Sequence, residues 1–72
     1  MTWTAEYPNG CTTLYIHEDG SIAASEEGVW LPGLYESRKA ALTARFVDPA
    51  RLAQLAEAAK QRGTPITEAE LA

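Results

Sequence analysis

At Ser37 the sequence changes its period, and that change limits the possible folds more than any other feature of the chain. Before it, apolar residues alternate with polar ones. Thr12-Thr-Leu-Tyr-Ile-His17 sends Leu14 and Ile16 to one side and Thr13, Tyr15 and His17 to the other, the period-two pattern of a half-buried strand. After it, Arg38-Lys-Ala-Ala-Leu-Thr-Ala-Arg-Phe-Val47 carries Leu42 and Phe46 four positions apart, the spacing of one helix face. Strands followed by helices, without alternation between them, specify an α+β domain.

The punctuation refines this. Asp19-Gly20, within Glu18-Asp-Gly-Ser21, is a hairpin signal between residues 12–17 and a return strand over 21–25. Gly28-Val-Trp-Leu31 supplies another strand before Pro32-Gly33 interrupts it, and Trp3, Ala5 and Tyr7 alternate ahead of a Pro8-Asn-Gly10 turn. A three- or four-stranded antiparallel meander over residues 2–31 is expected. Ser37 is placed to cap a helix over 38–47, and Asp48 with Pro49 at N1 starts a second over 49–62 that stops at Gly63. Val47 and Leu52 are spaced as a hydrophobic staple, with Leu52, Leu55 and Ala59 on one stripe. Thr67 and Glu70 form a capping box, flanked by Ile66 and Leu71 as a second staple, which predicts a helical turn over 67–71. Both helices are expected on one face of the sheet, in a single small domain spanning residues 1–72.

The core of such a domain is thin. Of 33 apolar residues 13 are alanine, which leaves 19 large side chains and Cys11. A chain of 72 residues with one cysteine has no internal disulfide, and one cysteine with one histidine cannot complete a four-ligand zinc site. No metal and no cofactor is therefore expected, and support from a protein partner or a second copy of the chain is. The amino-terminal residues contain no basic region and no apolar stretch, and no run approaches the ~18 residues that span a bilayer. A cytoplasmic protein that does not engage membranes is the expectation.

Charge is divided along the chain. Residues 1–36 hold six acids (Glu6, Glu18, Asp19, Glu26, Glu27, Glu36) and no lysine or arginine. Residues 37–62 hold all six basic residues (Arg38, Lys39, Arg45, Arg51, Lys60, Arg62) against Asp48 and Glu57, and the last ten add Glu68 and Glu70. Two consequences stay open: the halves neutralise one another, or one of them offers a charged surface to a partner of opposite sign.

Catalysis is the least supported class. His17, Glu18 and Asp19 are adjacent at a hairpin tip, where successive side chains diverge. Cys11 and His17, if on one strand, lie about 20 Å apart at ~3.3 Å per residue, so they form no thiol dyad, and Cys11 is expected to be a partly buried small apolar residue. Glu26 and Glu27 are consecutive and do not converge as a carboxylate pair, and each glycine stands alone at a turn. Aromatic residues carry more information. With Leu14, Ile16, Val29 and Leu31 beneath the helices, Tyr15 and Trp30 emerge on the open side of the sheet; the reverse assignment of faces buries them instead. A non-catalytic protein-interaction or regulatory module is expected, binding through Tyr15, Trp30, Glu18, Asp19, Glu26 and Glu27. The alternative is a nucleic-acid-binding accessory protein that sets Arg38, Lys39, Arg45, Arg51, Lys60 and Arg62 against phosphates.

Leu34-Tyr-Glu-Ser-Arg-Lys-Ala-Ala-Leu-Thr-Ala44 resembles the strand-to-helix junction of the AP2 and integrase amino-terminal DNA-binding family, in which a three-stranded sheet leads into a helix with paired alanines. The resemblance implies a sheet that reads DNA with basic and aromatic residues; here that half has the aromatic residues and neither lysine nor arginine. The whole chain is also similar to short proteins of unknown function from prophages and mobile elements of high-GC bacteria, which implies a context and no activity.

Overall fold

Three local turns, each fixed by its own chemistry, fold the first thirty residues into a meander. The computed structural model describes residues 2–72, with β1 (Trp3–Glu6), β2 (Thr12–His17), β3 (Ile22–Glu26) and β4 (Val29–Trp30) in one antiparallel sheet of order β1-β2-β3-β4. Between β1 and β2, the Asn9 carboxamide oxygen accepts the Cys11 and Thr12 amides at 2.8 and 2.9 Å. Between β2 and β3, the His17 carbonyl accepts the Gly20 amide at 3.0 Å, and Gly20 takes φ 91°, the arrangement of a type I turn closed by a left-handed glycine. Asp19 locks this turn by accepting from the Ser21 amide at 2.9 Å and hydroxyl at 2.7 Å, and those bonds hold its carboxyl below the usual range. Between β3 and β4, Glu27 (φ 52°) and Gly28 (φ 82°) form a two-residue turn with both central residues left-handed.

Register assigns the faces. Leu14 opposite Ala24 and Ile16 opposite Ile22 point inward, while Trp3 opposite His17, Ala5 opposite Tyr15, and Ser25 opposite Trp30 point outward. Helix α1 (Arg38–Ala44) lies against β2 and β3 through Ala40, Ala41 and Ala44, all fully buried. Alanines at that contact let the helix backbone approach the sheet closely, so the composition that thins the core also tightens it. Helix α2 (Pro49–Arg62) adds Leu52 and Ala59, and α3 (Glu68–Leu71) closes the core with Ile66 and Leu71. The caps lie where the sequence places them. Ser37 accepts from the Ala40 amide, Asp48 from that of Arg51, Gly63 is left-handed at φ 79°, and Thr67 and Glu70 complete the capping box.

Some expectations need correction. Helix α1 ends at Ala44 and not at Val47, because residues 45–47 turn toward the Asp48 cap. Phe46 consequently leaves the face of Leu42, is 77% exposed, and lies under the Arg45 guanidinium 4.5 Å away. Val29 points inward on a two-residue edge strand that no helix covers, and it is 67% exposed.

Tyr35 joins the layers. Its amide and carbonyl exchange bonds of 2.7 and 3.0 Å with Ile22, while on its other side Ile66 bridges in parallel, donating to Leu34 O at 2.8 Å and accepting from Glu36 N at 3.0 Å. The ring is fully buried, and its hydroxyl donates to Pro32 O at 2.6 Å. Tyr35→Phe removes that bond and is expected to lower unfolding free energy by about 1 kcal/mol, measured by urea denaturation. Burial also pushes the phenol up to about 12 from an ordinary 10. Since the unfolded chain ionises first, this stability is complete below pH 10 and is lost as pH rises from about 10 through about 12. An unfolding midpoint that falls across that window in the parent, and stays flatter in Tyr35→Phe, is the expected titration.

Candidate interaction surface

The outward side of the sheet carries a row of rings. Trp3 on β1 lies over His17 with centroids 3.7 Å apart and meets Tyr15 edge-on at 6.2 Å; Tyr15 in turn sits 5.0 Å from Trp30 on β4. The spacing follows from register: Trp3 faces His17 directly, and Tyr15 and Trp30 reach across β3 on the same face. Aromatic contacts of this geometry stabilise a sheet surface beyond the area they cover. They leave it half open, with Trp3 46% and Trp30 60% exposed. Tyr15 and Trp30 are thus brought together as expected. Trp3 and His17 are the members that the sequence reading missed, although their cross-strand pairing follows once β1 is aligned with β2.

The four acids assigned to this surface do not lie on it. Outward positions along the strands are Trp3, Ala5, Thr13, Tyr15, His17, Ala23, Ser25 and Trp30, all without a carboxylate. Glu18 and Asp19 stand at one end of the sheet, where Glu18 accepts the Thr2 amide at 2.9 Å. Glu27 stands at the other end, in the β3–β4 turn, beside Glu26. An uncharged aromatic face with acidic ends replaces the acidic face inferred from the charge count.

Cations are committed elsewhere. Arg38 grips Glu6 through Nε and Nη2 at 2.7 and 2.8 Å, which ties α1 to β1 and lowers the Glu6 carboxyl. Arg62 holds Glu70 at 2.6 and 2.9 Å; with the Thr67 bonds this pulls the Glu70 carboxyl down to about 2. Lys39 reaches Glu68 at 3.8 Å, and Arg51 caps the Glu70 and Ala72 carbonyls. Arg45 donates from Nη1 to Thr12 Oγ1 at 3.4 Å. Lys60 alone of the six has neither an ion pair nor a side-chain hydrogen bond among the described residues, and it lines a cleft of about 570 Å3 beside α2. Arg38–Glu6 is the one ion pair among the described residues that joins the acidic half to the basic half; the other two join the basic helices to the acidic tail. The acids at the ends of the sheet are left without cationic partners there.

Two other places gather polar atoms. The cleft is lined by Gly33, Ala53, Ala56 and Ala59 together with Lys60, Glu57 and Asp19, charges of both signs among small apolar residues. Cys11, Glu26 and Glu27 bring one thiol and two carboxylates within 4.8 Å of one another, a clustering that their sequence separation hides. Glu26 already accepts the Thr12 hydroxyl, and the Arg45 guanidinium approaches that hydroxyl, so a cation would compete with positive charge in place. Cys11 is exposed, not partly buried, because the Asn9 turn lifts it off the end of β2. His17 has its Nε2 buried without a hydrogen-bond partner, its ring against Trp3, and presents no base to a nucleophile.

Comparison with known protein families, curated proteins and solved structures finds no match to this chain. No helix of the described residues is long and apolar enough to cross a membrane. The Cys11 geometry predicts that the native thiol reacts with a chromogenic disulfide at the rate of a free surface thiol, and that excess Zn2+ leaves this rate unchanged; strong protection by zinc would show that the Cys11 cluster holds metal.

Proposed function

We propose that this chain is a non-catalytic protein-interaction module whose docking surface is the open aromatic face of its sheet. The observation that carries the reading is the Trp3–Tyr15–Trp30 row. Two tryptophans stand about half exposed over a sheet whose other side packs on α1 through β2 and β3, and no element of the described chain covers them. Exposed aromatic clusters of this kind are where binding energy concentrates, since a ring fixed by its neighbours loses little freedom when a partner packs on it. A regulatory role by occupancy of a partner fits a domain this small. The nucleic-acid alternative lacks comparable support: five of the six basic side chains already hold groups of their own chain, and the sheet face has none.

Trp30→Ala tests the reading, because β4 is an edge strand and the change leaves the buried core intact. The expected result is loss of partner capture, with affinity reduced roughly thirty-fold or more and the far-ultraviolet dichroism retained. Unchanged capture and unchanged oligomeric state in a folded variant would sink the proposal.

A further inference from the structure

We infer that the partner of this face is a basic protein segment, apolar in the middle and cationic at both ends, and not a second copy of the chain. The inference rests on the docking face proposed above and adds the chemistry of its occupant. Rings occupy the centre of the face, and acids occupy its two ends, Glu18 and Asp19 beyond His17, Glu27 beyond Thr12. None of these three is paired with a cation among the described residues. Of the six acids in this half only Glu6 is paired with an arginine, and the basic helices lie behind the sheet, engaged with Glu6, Glu68 and Glu70. The field in front of the sheet is therefore negative at both ends.

Like charge rules out the symmetric solution. A two-fold axis through the face sets either end of one copy against an end of its partner, and both ends are acidic, so every such pairing confronts carboxylates with carboxylates. A cationic partner meets attraction at each end, and an arginine can lie over Trp3 or Trp30. Spacing follows from the strands: the six residues of β2 at ~3.3 Å each separate the acidic ends by about 20 Å. The fitting occupant carries its cations that far apart, six residues in extended chain or about thirteen in a helix.

Three peptides of matched length distinguish the outcomes. One has arginine pairs at both ends of an apolar segment, the second has the same residues with all arginines central, and the third replaces arginine with glutamate. Fluorescence of Trp3 and Trp30 reports binding to the whole chain, and sedimentation reports self-association. The expected result is that the first peptide binds at least about ten-fold more tightly than the second. The third should not bind, and binding of the first should weaken as salt shortens the screening length. Glu18→Gln with Glu27→Gln, which keeps the Thr2 acceptor and the turn, should reduce that binding five-fold or more without loss of fold. Equal binding of all three peptides, dependent on Trp30, would overturn the charge inference and leave the docking face standing. A dimer abolished by Trp30→Ala would do the same. Binding of the first peptide that ignores Trp30→Ala would overturn the face itself, as would no binding by any peptide together with partner capture that survives Trp30→Ala.

Discussion

Tyr35 is held by main-chain bonds on both sides, and the rest of the molecule depends on that double attachment. Toward Ile22 it extends the sheet past the Pro32-Gly33 interruption; toward Ile66 it anchors the segment that follows α2. Its ring is buried in the same cluster as the alanine stripe of α1, so a residue in no regular element joins sheet and helices. Gly33 is shaped by the same closeness. At φ 84° it would place a Cβ 2.9 Å from Ile66 Cδ1 and 3.1 Å from Ala56 Cβ, and only glycine fits.

Charge is organised around this frame rather than within it. The acidic tail, through Glu68 and Glu70, engages the cations of the helices, while the sheet keeps nearly all of its own charge unbalanced. Open neutralisation between halves, one of the two readings of the charge division, is thus confined to Arg38 and Glu6. The asymmetry leaves a front that is negative at its two ends and a back whose cations, Lys60 excepted, are internally engaged, and it is the physical basis for favouring a basic partner over phosphate.

Local signals were legible and long-range ones were not. Ser37, Asp48, Thr67 and Glu70 announce helix starts because such a cap needs only a side chain and an amide three residues away, and Gly63 announces a helix end because it takes the left-handed conformation freely. The alternation in β2 and the position of Tyr15 and Trp30 follow from period two, and the outward face was readable to that extent. Tyr35 was not, since a tyrosine buried between Ile22 and Ile66 carries the same local pattern as one exposed on a strand. Glu27 escaped notice for another reason: glutamate is a poor marker for the left-handed conformation that its turn imposes. The acids were counted correctly and placed wrongly, because a charge tally along the chain does not distinguish the ends of a sheet from its surface.

The attachment of Ile66 to Tyr35 has a consequence for synthesis. A ribosome delivers β1 to β4 and both longer helices before it delivers the residue that closes the far side of Tyr35. Until then the Leu34 carbonyl and Glu36 amide lack their partners, and the core lacks Ile66 and Leu71. A chain that has emerged only as far as Gly63 therefore exposes apolar surface that the folded domain buries, and it is not a smaller version of the domain.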